Sequence, residues 1–280
     1  MKPTARASPY LGEPEEAWLE ITRGLLATHP LKVDSIREVA LTAWAKVWDT
    51  TVGSGDTAIR LAELGVPATV VGYFFEVLLA RELQHLYPDD WRGNRSGDEK
   101  DVVYIKDLSL SIEMKSSGQL GDRVYGNRSY GQRTQNEDLV KKEKSGYYIT
   151  ANFYGQTLTL LRFGWIDASD WKPQASPTGQ MAGLSVAVYA KKLIAIPGEY
   201  QLDAPVELLE GVGPKIATEF LTKSGRFANC WSIPADFPQL VRGASWRLRL
   251  RSIGRQVRQV PNSVRCDSTT RDNRRAMNSQ

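Results

Sequence analysis

Histidine and cysteine are nearly absent from this 280-residue chain, which has two of each: His29, His85, Cys230 and Cys266. Neither histidine belongs to an H-x-x-x-H pattern or lies near a Gly-x-Ser-x-Gly elbow. That excludes zinc hydrolases, serine and cysteine triads and histidine-metal nucleases, all of which need imidazole at a set place. Both histidines are expected to be ordinary surface or capping residues. Two cysteines supply neither a disulfide framework nor a zinc cluster. No apolar run approaches the ~20 residues of a membrane span, and residues 1–13 lack the basic-then-apolar layout of a signal peptide, so a cytoplasmic location is expected.

Excess positive charge is missing from most of the chain. Ten arginines from Arg242 onward face only two aspartates, a local charge of +8, so with +4 overall the first 241 residues carry −4. Beyond about residue 258 the Arg-rich end is too poor in apolar residues to fold alone. It either contacts nucleic acid nonspecifically or is a disordered tail with no specific role. A nucleic-acid site elsewhere has to be a local basic groove in a mildly acidic body.

With 41% hydrophobic residues the chain can bury a sizeable core. Helical periodicity predicts helices over Glu15 to Ala27, over Ser35 to Asp49 behind the cap Asp34, and over roughly Asp56 to Leu64, with Trp18, Trp44 and Trp48 as core residues. A further helix is predicted from Pro67, in its first turn, to about Leu86. Glu76 is its only charge before Arg81, on a face made by Gly72, Tyr73, Leu79 and Ala80. A carboxylate there needs a partner, either a basic residue elsewhere in the fold or a metal site.

The stretch from Asp101 to Lys115 alternates apolar and polar residues and predicts a hairpin, with strands over 102–105 and 108–114. A turn centred on Asp107 sets Asp101 opposite Glu113, where facing Cβ atoms are about 4.5–5.5 Å apart. Period two puts Glu113 and Lys115 on one face, expected to be outward, with Leu108, Leu110, Ile112 and Met114 inward. Such a trio suits magnesium chemistry on a phosphodiester. The ion takes hard oxygen ligands, one or two carboxylates such as Asp101 and Glu113 plus a substrate phosphate. Lys115 then either holds the attacking water or a phosphate oxygen, or transfers a proton. The competing reading is an edge hairpin with a weak surface Glu–Lys pair. Asp98 and Asp107 are geometrically poorer rivals of Asp101.

A long loop over Ser116 to Ser145 follows, a length that in a compact domain signals function or disorder. It carries Asn127, Arg128 and Gln132, residue types that pair bidentately with guanine or adenine, though such residues also fill ordinary turns. Tyr147 to Tyr154 and Thr157 to Trp165 read as strands extending the sheet beside the hairpin. Near the end of the body, Gly211-Val-Gly213-Pro-Lys215-Ile-Ala217 fits the Gly-hydrophobic-Gly core of a helix-hairpin-helix. There Gly211 and Gly213 turn the chain, and Lys215 adds charge at a helix start facing a phosphate. A plain helix–helix turn explains the glycines equally well.

Asp101, Glu113-x-Lys115 and Glu76 together resemble the PD-D/ExK nuclease superfamily. The chain more narrowly resembles the ScaI-type Type II restriction endonucleases. That resemblance rests on Gly72-Tyr-Phe-Phe-Glu76, Ile112-Glu-Met-Lys-Ser-Ser, Gly126-Asn-Arg-Ser-Tyr, Gly146-Tyr-Tyr, Phe163-Gly-Trp-Ile-Asp167, Thr178-Gly-Gln and Gly211-Val-Gly, over about residues 28–225. One departure is Lys100, which stands where the superfamily has proline before the aspartate. The resemblance implies an α/β fold, a restriction-endonuclease-like mixed central sheet flanked by helices, with an N-terminal helical region and a C-terminal helix-hairpin-helix-like element. It implies magnesium as cofactor, double-stranded DNA as partner, 5′-phosphate ends, a homodimer on a palindrome and a cognate DNA methyltransferase encoded nearby. Asp101 and Glu113 become metal ligands, Lys115 the water-orienting base and Glu76 an auxiliary acid. The expected organisation is an N-terminal extension over 1–27, an endonuclease domain over 28–241 with its hairpin at 101–115 and helix-hairpin-helix-like element at 205–223, and a flexible tail over 242–280. A structure-specific or repair nuclease of the same fold and a noncatalytic DNA-binding protein are the alternatives.

Overall fold

The computed structural model describes residues 7–127, 143–174 and 181–205, with the single positions 208, 215 and 218. Helices α1 (Trp18–Thr28), α2 (Val33–Asp49) and α3 (Ala68–Leu86) come first. On α2, Ile36, Val39, Ala40, Ala43, Trp44 and Val47 repeat at three- and four-residue spacing and are all buried. Lys32, not Asp34, is its N-cap; Asp34 lies in the first turn, where a carboxylate favours the helix dipole. Pro67 likewise caps α3 rather than entering it.

The helix expected over Asp56 to Leu64 is absent. Strands β1 (Thr51–Val52) and β2 (Ile59–Arg60) pair antiparallel there, between single 3-10 turns. Gly53 and Gly55, at φ of 90° and 58°, reverse the chain in the left-handed region. The short segment buries only Leu61 and so lacks the apolar stripe that would hold a helix to the body.

Strands β3 (Trp91–Gly93), β4 (Val102–Tyr104) and β5 (Ile112–Ser117) lead to the two-residue β6 (Gly126–Asn127), and the long β7 (Gly146–Tyr154) and β8 (Thr157–Ile166) follow. After them come β9 (Lys172–Pro173), β10 (Met181–Gly183), helix α4 (Val186–Lys191) and β11 (Leu193–Ala195). Among the described residues the largest sheet has six strands, ordered β11-β8-β7-β5-β4-β3, and β5 runs parallel to β7 while the other pairings are antiparallel. Strands β6, β10 and β9 form a small second sheet. The central strands are apolar on both sides because both faces are covered. Helices α1 to α3 pack one face through Ile36, Phe75, Leu79, Ile112, Tyr147 and Phe163, and a second cluster of Val124, Tyr148, Ile166, Trp171, Val188 and Leu193 covers the other.

His29 is a capping residue, as the sequence allowed, but not a surface one. It ends α1 as its C-cap but is wholly buried, ringed by Trp91, Tyr147 and Phe163, and burial lowers its pKa. Its Nδ1 accepts the Leu31 amide at 3.1 Å, which leaves Nε2 to donate to the Leu110 carbonyl at 3.0 Å. His85 is exposed, as expected.

Candidate active site

The hairpin exists in the expected register but with shorter strands. Val102 pairs with Ile112, so one step along the ladder sets Asp101 across from Glu113. Residues 108–110 form a 3-10 turn instead of strand, because Asp107 caps it by accepting the Ser109 amide at 2.9 Å. Asp107 is thus spent on local structure, and Asp98 is exposed in the preceding turn. Asp101 is 5% exposed, and its Oδ2 accepts the Met114 amide at 2.7 Å, fixing the carboxylate at the point where β4 leaves β5.

Glu113 and Lys115 share a face and touch. Lys115 Nζ donates to Glu113 Oε1 at 2.6 Å and to the Met114 carbonyl at 2.8 Å. That face is not the open one expected: the Glu113 side chain is 2% exposed and that of Lys115 18%. The cause is the sheet order. With β7 alongside, Glu113 sits beside Tyr148 and Lys115 beside Thr150, and Tyr148 belongs to the second hydrophobic cluster. Such a pair is not a weak surface contact, because each charge has lost most of its water.

Glu76 arrives from the other side, on a stripe of small residues spaced by four along α3. A Cβ on Gly118 would lie 2.6 Å from the Ala68 Cβ, one on Gly72 would lie 2.3 Å from Ser116 Oγ, and one on Gly93 would lie 3.7 Å from the Ala80 Cβ. The helix therefore lies almost on the backbone of the sheet, and Glu76 is the third member of the series Ala68, Gly72, Glu76, Ala80. It is half-buried and lines, with Asp101, a cleft of about 270 Å³. Glu113 and Lys115 do not line that cleft. Asp101 joins the two halves, since it forms part of the cleft wall and also faces Glu113.

Asp101 and Glu113 offer hard oxygen donors from adjacent strands, the donor chemistry and number that magnesium takes from a protein when substrate and water complete its shell. Among the described residues there is no group of three or more His, Cys, Asp or Glu suited to a metal. Of the sequence-selected DNA contacts, Asn127 ends β6, where its backbone pairs with Met181, and Lys215 is an exposed helical position. Arg128, Gln132, Gly211, Gly213, the residues of the helix-hairpin-helix-like element other than 205, 208, 215 and 218, and the Arg-rich end lie outside the described residues.

Sequence reasoning passed over two features. Strand β3 and the turn after it carry Arg92 and Arg95 into the cleft, where Arg81 of α3 also lies; two arginines within four residues ahead of Asp101 were the available signal. The second is a polar anchor on the Glu113 side of the sheet. Arg162, buried and with its pKa lowered by that burial, donates to the Asp122 carbonyl at 2.9 Å and to Asn152 Oδ1 at 3.1 Å, and it lies over the Tyr189 ring. Asn152 in turn donates to the Arg123 carbonyl at 2.8 Å, so the segment leading to Asn127 is tied to the sheet.

Comparison with known proteins gives a consistent result. The chain matches the family model described as ScaI restriction endonuclease over residues 8–197. It is 36% identical over 207 residues to the Type II restriction enzyme ScaI of Streptomyces caespitosus, an alignment covering 70% of this chain and 87% of that enzyme. No solved structure matches.

Proposed function

The chain belongs to the ScaI restriction endonuclease family, and from that premise we propose that it cuts both strands of double-stranded DNA at a palindromic sequence, using magnesium and leaving 5′-phosphates. It is a Type II restriction endonuclease, a phosphodiester hydrolase. The observation that carries the finer reading is the placement of Asp101 across from Glu113, with Lys115 Nζ 2.6 Å from Glu113 Oε1.

Asp101 and Glu113 hold the metal. When bound, magnesium supplies Lewis-acid neutralisation of charge building on the scissile phosphate. The Met114 amide keeps Asp101 from turning away, so a ligand position is set before substrate arrives. Lys115, part-exposed at its tip, orients the attacking water and keeps the Glu113 carboxylate in place through its own hydrogen bond. Glu76 acts from the cleft as the auxiliary acid. Asn127, Arg128 and Gln132 read base edges, while Gly211, Gly213 and Lys215 hold backbone phosphate. A palindrome read in halves calls for a two-fold homodimer. The functional partner is a DNA methyltransferase encoded nearby, and the enzyme works in the cytoplasm.

Digestion of a fully sequenced plasmid tests this reading. Magnesium should give discrete fragments whose mapped ends share one palindrome and ligate directly, and calcium or EDTA should give none. Glu113→Gln and Lys115→Ala should abolish cutting while keeping duplex binding in calcium. A featureless smear, or full activity in Lys115→Ala, would count against it.

A further inference from the structure

Glu76 and Asp101 share their cleft with Arg81 and Gln84 on the α3 wall and with Arg92, Asn94 and Arg95 on the opposite wall. The three arginines are not equivalent. Arg92 grips Glu99 with both terminal nitrogens, NH1 to Oε2 at 2.8 Å and NH2 to Oε1 at 2.5 Å, and this pairing holds the Glu99 carboxyl down at about 2. Glu99 therefore stays ionised at any working pH and cancels Arg92. The same Oε2 also accepts the Arg95 amide at 2.7 Å, closing the 92–99 turn and pinning the backbone that carries Arg95. Arg95 and Arg81 are both exposed, and the charge of Arg95 adds to the pull of Arg92 on the Glu99 carboxyl.

The charge balance of the cleft gives these two a purpose. Its acids are Glu76, the auxiliary acid, and Asp101, whose charge the proposed metal ion would offset, and Arg92 is already matched by Glu99. What remains is Arg81 on one wall and, on the other, Arg95, which shares the single Glu99 carboxylate with Arg92, an excess of positive charge within a body that is mildly acidic as a whole. A guanidinium in this setting suits phosphate oxygens, which it can hold bidentately.

We propose that Arg81 and Arg95 hold the DNA backbone phosphates flanking the point of cutting, one from each wall of the cleft. Glu99 serves them as a positioning residue, fixing the turn and silencing Arg92. The inference rests on the reading that this cleft receives DNA for cutting, and the experiment separates the two.

A fluorescent duplex carrying the mapped site is titrated in calcium at several salt concentrations, and the slope of log K against log salt is read. Arg81→Ala and Arg95→Ala should each reduce the slope by about 0.9, and the double variant by about 2. Arg23→Ala and Arg60→Ala, surface arginines paired with Glu20 and Glu63 away from the cleft, should leave it unchanged. Wild-type slopes in Arg81→Ala and Arg95→Ala, or an equal loss in the two controls, would overturn the inference while leaving the cleavage reading intact. Failure of the wild-type chain itself to bind or cut duplex would overturn both.

Discussion

Replacing Lys115 with methionine in the metal-free protein keeps the aliphatic stem and removes the charge that sits 2.6 Å from Glu113 Oε1. Breaking a buried ion pair by deleting one partner costs roughly 3–5 kcal/mol. Because the Lys115 side chain is 18% exposed against 2% for Glu113, the lower end, about 3 kcal/mol, applies. In a body of this size that lowers the melting midpoint by about 6–12 °C. Glu113→Gln removes the other charge and leaves a lysine that reaches solvent, so its cost should be near 1 kcal/mol. The double variant has no stranded charge and should cost only about 1–2 kcal/mol, well under the roughly 4 that additivity gives. Chemical denaturation in EDTA measures all four states. Magnesium should then restore part of the lost stability in Lys115→Met by taking over the neutralising role, and none in the double variant. Additive losses, or a Lys115→Met protein within about 0.5 kcal/mol of wild type, would refute the claim that β5 holds a buried, coupled pair.

Three further outcomes follow from other parts of the fold. In Gly164→Ala the new Cβ would lie 1.9 Å from the Lys192 carbonyl oxygen, a backbone atom that cannot rotate aside. The β8–β11 edge should loosen at a cost of about 3 kcal/mol by denaturation; an unchanged midpoint would show that β11 is not so close. His29, buried with a lowered pKa, stays neutral in the folded chain while the unfolded chain takes up a proton below about 6.5. It therefore costs stability as pH falls from about 6.5 toward its depressed folded value, and none above. The difference in unfolding free energy between wild type and His29→Gln should shrink as pH drops from 7.5 to 5.5, and a pH-independent difference would refute the burial. Arg162→Met should release the segment before Asn127, costing roughly 3 kcal/mol, and should make the exposed Arg123 bond an early trypsin site; an unchanged digestion pattern would show that Arg162 does not anchor it.

The interior position of β5 sets the surroundings of the proposed metal ligands. A carboxylate on an open edge would keep its water shell until substrate arrived. Glu113, 2% exposed beside Tyr148 of the second hydrophobic cluster, has already lost it. The desolvation is met in part by Lys115, so a divalent ion at Glu113 would exchange one cationic partner for another and would not impose a first dehydration. Asp101, the other proposed ligand, is fixed by the Met114 amide, a bond that the arrival of an ion at Glu113 would leave in place.

What the sequence by itself determined is what depends on near neighbours in the chain. Period two in Ile112-Glu-Met-Lys put Glu113 and Lys115 together, and a turn about Asp107 set Asp101 across from Glu113, because both follow from strand geometry over fifteen residues. The 3.6-residue spacing of α2 and the apolar runs of β7 and β8 were legible for the same reason. Only the tertiary structure decided the rest. The parallel pairing of β5 with β7 joins residues 35 apart in the chain, as Ile112 with Tyr147, and it buries a face that alternation alone assigned to solvent. Gly72 against Ser116 brings α3 onto the sheet and so delivers Glu76 to Asp101, a contact that no local pattern encodes. Arg81 and Arg95 read as scattered charges until two separate elements became the walls of one cleft. Local sequence sets which way a side chain points; which other surface it then meets is set by packing between distant segments, where burial and charge are decided together.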